Sequence, residues 1–194
     1  MDQTPIRLVD PDPDWPAAYE HARRRLVDAL PDGAVRRIAH VGSTAVRGLA
    51  AKPTVDVAVE VPAGRAADSL PALLGLGYEV GHRHEDWTYC RLERADGPDV
   101  NCHLFDAGSG RFDDGVAFRD ALREDPETRE RYERLKRRLA ERNRHDDVAY
   151  ARAKSAFVAA VLARRRGERE RLPGVDALVD GTAADASRWH VDGR

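Results

Sequence analysis

The chain has 194 residues, 42% hydrophobic and 34% charged, enough for one domain with a real core or one domain with an appendage. Its 32 basic and 34 acidic residues leave a formal charge of -2, so the whole molecule offers no electrostatic footprint for nucleic acid. No apolar run approaches the roughly 18 residues that span a bilayer, and the opening "MDQTPIRLVDPDPDW" lacks an apolar signal core; a cytoplasmic protein with no membrane partner is the expectation.

In chain order, "IRLVDPDPDW" reads as a short extended piece broken by Pro11 and Pro13. Asp14 as N-cap, with proline in the first turn, starts a helix over "PAAYEHARRRLVDAL" that ends at Pro31-Asp32-Gly33. "AVRRIAHVGS" is a short strand. "TVDVAVEV" is a clearer one, dense in β-branched residues and alternating with period two. "ADSLPALLGLGYEV" reads as a helix despite Pro71, closing at Gly75 or Gly77, and "GHRHEDW" as a loop. "WTYCRLERADGPDVNCHLFDAG" is a hairpin around Asp96-Gly97-Pro98, with Cys90 and Cys102 packed inside as reduced thiols. From Gly115 onward two or three charged helices follow, with breaks near Pro126 and at "NRHDD". Their apolar stripe is Phe118, Leu122, Tyr132, Leu135, Leu139, Tyr150, Phe157, Val161 and Leu162. Glutamates interleave the arginines, as on a solvated helix face carrying pairs such as Glu133–Arg137. Residues 1–167 make up the domain, and residues 168–194 read as a loosely held extension in which "LPGVDALV" and Trp189 are the segments able to dock. The order of elements predicts an α+β domain: a small mixed β-sheet, flanking helices and a C-terminal helical segment.

The chemistry concentrates in "HVGSTAVRGLAAKPTVDVAVEV", residues 40–61. Glycine at Gly42 lets the chain turn sharply and a ligand come close. The exposed N–H groups of such a turn suit phosphate oxygens, with Ser43 and Thr44 adding hydroxyls and Arg47 and Lys52 adding charge. Asp56 follows on the strand, sharing one face with Ala58 and Glu60, while Val55, Val57, Val59 and Val61 face the core. A carboxylate opposite a phosphate-binding turn is what metal-assisted phosphoryl or nucleotidyl transfer requires. A two-metal site needs a second carboxylate, and Ala58 stands where it would fall; Glu60 contributes only if the site is displaced along the strand. Arg91 on the hairpin is placed to meet a phosphate or a carboxylate such as Glu93 or Glu60. His40 and His103 sit on strands, able to bind phosphate or metal or to carry a proton. His82 and His84 resemble a metal clip but lack a third placed ligand.

"HVGSTAVRGLAAKPTVDV" closely resembles the signature of the GrpB family, with further agreement in "VDPDPDWPAAYEHARRRLVDAL", in "VNCHLFDAGS" and in the Tyr-x-x-x-Lys-x-x-Phe pattern at Tyr150, Lys154 and Phe157. The resemblance spans roughly residues 5–166. It implies a nucleotidyltransferase-like fold of the polymerase-β type, in which Gly42-Ser43 matches the turn and Asp56 the first carboxylate. The later-strand acid has Glu93 and the strand of His103 as candidates, and Ala58 departs from the superfamily's acidic pair. The expectation is a transferase that binds a nucleoside triphosphate or another small phosphorylated ligand with Mg2+. Gly42, Ser43, Thr44, Lys52, Arg91 and Lys154 would hold the ligand, Asp56 and Glu60 the metal, and Asp56, His103 and His40 the chemistry. Two alternatives stand beside it: a ligand-binding module that has lost transfer chemistry, and a transferase or cyclase using a histidine base in the same pocket.

Overall fold

The computed structural model describes residues 5–168 and 171–180. The chain divides into two compact units, Asp10–Arg119 and a helical unit of Met1–Val9 with Asp120–Arg194. Among the described residues no helix is long and apolar enough to cross a membrane.

The first unit is built on five strands: β1 (Arg37–Val41), β2 (Thr54–Val61), β3 (Glu79–Arg83), β4 (Trp87–Leu92) and β5 (Asp99–Asp106). Their order across the sheet is β1-β2-β5-β4-β3. The β2/β5 pair is parallel and the other three are antiparallel, so the sheet is mixed, as expected. β2 occupies the span read from its alternation. Val55, Val57, Val59 and Val61 are fully buried in one core with Ala22 and Leu26 of α1 (Trp15–Ala29), the following Leu30, and Leu73 of α2 (Ala66–Gly75). Asp14 is the N-cap position of α1, as expected, but its side chain caps nothing; its own N–H instead donates to Asp12 Oδ1 at 2.8 Å.

α2 ends at Gly75, one of the two expected positions, but β3 corrects the reading of "GHRHEDW" as a loop. It is an edge strand, mostly exposed, with a register shift between Val80 and His82. A Cβ on Gly81 would meet the Tyr89 ring at 2.4 Å, so the bulge lets that ring lie against bare backbone.

Cys90 and Cys102 are directly opposite on β4 and β5, buried and unpaired as a disulfide. Burial pushes the Cys90 thiol up to about 11 and Cys102 higher still. Native protein at pH 8 is therefore expected to resist a disulfide-exchange reagent such as DTNB and to release two thiols on denaturation; a fast native reaction would contradict this packing.

Helix α3 (Arg111–Glu124) runs across the boundary between the units. The helical unit continues with α4 (Pro126–Arg142), α5 (Asp147–Arg165) and α6 (Val175–Val179). The breaks fall where proline and "NRHDD" place them. Asp125 caps α4 by accepting the Glu127 and Thr128 N–H groups, and Asp146 caps α5 by accepting Ala149 N–H. Every residue of the expected apolar stripe is buried. Part of the segment read as loosely held is docked instead: α6 packs on α4 through buried Leu178 and Val179. Arg131 donates to the Leu172 and Pro173 carbonyls, while Arg138 and Arg142 pair with Asp176 and Asp180. Trp189 lies outside the described residues.

Candidate functional site

The turn between β1 and β2 is set by Gly42, with φ 70° and ψ -170°, a region open essentially to glycine alone. A Cβ there would lie 2.2 Å from Asp56 Oδ2. The turn backbone and the carboxylate are thus in direct contact across the β1/β2 pair, where Val41 is the partner of Asp56. The short helical turn expected after Gly42 is a single 3-10 turn, Ser43–Ala45, closed by Val46 N–H on the Ser43 carbonyl at 3.1 Å.

Asp56 is about a quarter exposed. Its Oδ1 accepts a hydrogen bond from Asn101 Nδ2 at 2.8 Å. His103 Nε2 approaches the same oxygen at 3.5 Å, the far limit of such a bond. Tyr89 donates its hydroxyl to Asn101 Oδ1 at 2.9 Å, which fixes the orientation of that amide. The result is a chain from β4 through β5 to β2. Strand pairing explains it: Asp56 is opposite Asn101, and Arg91 and Tyr89 are opposite Asn101 and His103. Asn101 and Tyr89 are site residues that the sequence reading did not single out. The signal was present in "NCHLFD", where period two puts Asn101 on the His103 face. Trp87 and Phe105 flank the His103 ring at 6.1 and 5.8 Å between centroids.

Other expected site residues are placed elsewhere. His40 is paired with Val57 and so lies on the opposite face of the sheet from Asp56. It is buried, stacked on Tyr19 of α1 at 4.6 Å, with Nε2 3.0 Å from Thr44 Oγ1. The Thr44 hydroxyl gives its one proton to the Thr54 carbonyl at 3.1 Å, so the histidine nitrogen is the donor between them. His40 and Thr44 therefore tie the turn to the start of β2 and do not face the Asp56 carboxylate. Glu60 is corrected too. It is buried, with both oxygens on the Arg37 guanidinium, and that guanidinium holds its carboxyl below the usual range. Glu60 is thereby committed to an ion pair with Arg37 and does not stand open beside Asp56. Arg91 binds Asp99 at 2.8 Å and Glu93 at 3.2 Å, its expected carboxylate role. Glu93 is 76% exposed and lies just past the end of β4, paired with Arg91. Lys52 is half-buried in the connection entering β2. Lys154 belongs to α5 of the helical unit, its Nζ 4.1 Å from the Tyr150 ring centroid. His82 and His84 diverge, one near Tyr89 and the other stacked on Trp87.

The donor set limits what metal the face could hold. Among the described residues no three His, Cys, Asp or Glu side chains converge on one point. Ala58 is fully buried and brings no oxygen. A two-ion site does not fit these residues. One oxygen-preferring ion on Asp56, completed by phosphate oxygens and water, does fit.

The family model described as GrpB protein matches residues 5–164. A UPF0157 protein of Streptomyces coelicolor is 41% identical over 160 residues, covering 82% of this chain and 83% of its own. A UPF0157 protein of Halalkalibacterium halodurans is 35% identical over 162 residues, covering 82% of both. The crystal structure of conserved protein GrpB from Enterococcus faecalis superposes with a TM-score of 0.68 at 24% identity, over 91% of this chain and 99% of that one, and so shares the fold. The matched family model and these relatives show that the chain belongs to the GrpB protein family.

Proposed function

We propose that this protein is a nucleotidyltransferase-type transferase that binds a nucleotide or other phosphorylated ligand at the Gly42–Ser43 turn. The observation that carries the reading is the contact between that turn and Asp56: the Gly42 Cα lies where any side chain would overlap the carboxylate. A turn able to take phosphate oxygens and an acid able to take a cation thereby form one site. Gly42 and Ser43 would cradle the phosphates. Asp56 would hold one divalent cation, and Asn101, braced by Tyr89, would keep its carboxylate aimed. Such an ion, when bound, neutralises charge on the phosphates. His103, at the same carboxylate, would move a proton.

The test is a thermal-shift series with nucleoside triphosphates and Mg2+ at millimolar concentration. Ligand at about a hundred times its Kd should add about 2.7 kcal/mol to stability, and Asp56→Asn should remove most of that gain. No shift in the wild type, or an equal shift in Asp56→Asn, would reject the reading. Ala58 supports a second one, a binding module on the same scaffold without transfer chemistry. It predicts the same stabilisation with no product detectable by mass spectrometry.

A further inference from the structure

α2 is closed by Gly77, at φ 90°. The N–H groups of Gly77 and Tyr78 donate to the Leu74 and Leu73 carbonyls, both at 3.0 Å. This is the left-handed helix ending in which the next residue folds back on apolar neighbours. Tyr78 is accordingly 4% exposed, in the core that holds Val55, Val57 and Cys102. A phenol so deeply placed ordinarily finds a partner for its O–H. Among the described residues the Tyr78 hydroxyl has none. Tyr78 instead opens on a cleft of about 10 Å3, room for about one water-sized atom. His21 and Arg25 of α1, Arg94 after β4, and Leu92 and Val100 form its walls.

Secondary structure brings these groups together. His21 and Arg25 are one turn apart on the same face of α1. Leu92 and Val100 are partners across β4 and β5, and the Arg94 N–H is held by Asp99 Oδ1 at 3.1 Å. Among the described residues no carboxylate lines the cleft, and the side chains of His21, Arg25 and Arg94 make no hydrogen bond or ion pair. Burial pushes the Tyr78 hydroxyl well above the usual tyrosine value, with the Arg25 and Arg94 guanidinium groups pulling against it. It is therefore a proton donor at neutral pH. Packing alone does not ask for a hydroxyl here, since phenylalanine would fill the core as well. A tetrahedral oxyanion would use every group present. One oxygen would enter the cleft and accept the Tyr78 O–H, and two outer oxygens would take charge-assisted bonds from Arg25 and Arg94.

We propose that this cleft, on the face of the sheet opposite Asp56, binds a phosphate group through Arg25, Tyr78 and Arg94. The proposal stands on these residues alone, not on the reading of the Gly42 turn. Nitrogen-15 NMR titration of the full chain with inorganic phosphate, without divalent cations, tests it. Saturable shifts are expected at the amides of Arg25, Tyr78 and Arg94, and sodium chloride of equal ionic strength should not reproduce them. Arg25→Gln and Arg94→Gln should each weaken binding about tenfold, and Tyr78→Phe by about threefold. Arg25 is exposed and Arg94 half-buried, so the two glutamine variants keep the test open if Tyr78→Phe does not fold. The same titration with glycerol phosphate tells the free ion from a larger ligand: tighter binding than inorganic phosphate supports a phosphorylated ligand in the cleft, weaker binding the free ion. No saturable shift at these amides, the same shifts with chloride, or unchanged affinity in both glutamine variants overturns the proposal. Shifts confined to Gly42 and Ser43 would place phosphate at the turn instead and overturn it too.

Discussion

Gly42→Ala is expected to lower stability by about 3 kcal/mol and to abolish ligand-dependent stabilisation. Two independent costs add. The backbone at φ 70°, ψ -170° is a region that strains any residue with a side chain by about 1–3 kcal/mol. The new Cβ would also lie 2.2 Å from Asp56 Oδ2 and 2.9 Å from its Cγ. Asp56 is short and held by Asn101, so it yields only by breaking that 2.8 Å bond. A loss of about 3 kcal/mol corresponds to roughly 10 °C in Tm for a chain of this size. The double variant Gly42→Ala with Asp56→Gly separates the terms: it should recover the steric part and keep the backbone part. A Gly42→Ala midpoint close to wild type would show that the turn can relax away from the strand, and the single-site geometry would be lost with it.

That contact explains how much of the site could be read from the sequence. Glycine at Gly42 and the lone acid on β2 are local features, and period two assigned the β2 faces correctly, valines inward and Asp56 outward. What the sequence could not give was register. Whether His40 faces the acid or the core depends on how β1 pairs with β2, and the pairing of His40 with Val57 sends it to the core. The fate of Glu60 depended on the same pairing, since Arg37 is its cross-strand partner. β3 was missed for a different reason: "EVGHR" is an exposed edge with a glycine bulge, so it lacks the apolar alternation that marks a strand. "LPGVDALV" could be read as able to dock, but not where, because its arginine partners lie on α4, about 40 residues earlier, among many similar arginines.

Arg37→Met should cost about 2–3 kcal/mol at neutral pH, while leaving the Asp56–Asn101 hydrogen bond in place. Glu60 is 9% exposed at its side chain and gives both oxygens to Arg37, one at 2.9 Å from Nε. The same guanidinium reaches Asp113 at 2.6 Å and lies 4.3 Å above the Phe112 ring, joining the sheet to the start of α3. Removing one partner of a buried pair leaves a charge that the interior must neutralise, typically at about 3–5 kcal/mol. Arg37 is itself 43% exposed, and Arg36 comes within 3.9 Å of Glu60, so screening and a second cation trim the loss to the lower figure. The pH dependence carries the sign. Arg37 lowers the Glu60 carboxyl in the folded protein, so the pair's contribution is fully present above the ordinary glutamate value of about 4.3 and is lost as pH falls through the lowered one. The gap between wild type and Arg37→Met should therefore be widest near pH 7 and close in acid below about pH 4. Replacing both partners, Arg37→Met with Glu60→Met, should recover most of the neutral-pH loss, because two apolar side chains leave no charge stranded. A gap that stays constant across that acid range, or a double variant no better than the single one, would mean that the Arg37 stem packing on Phe112, and not the ion pair, holds β1 to α3.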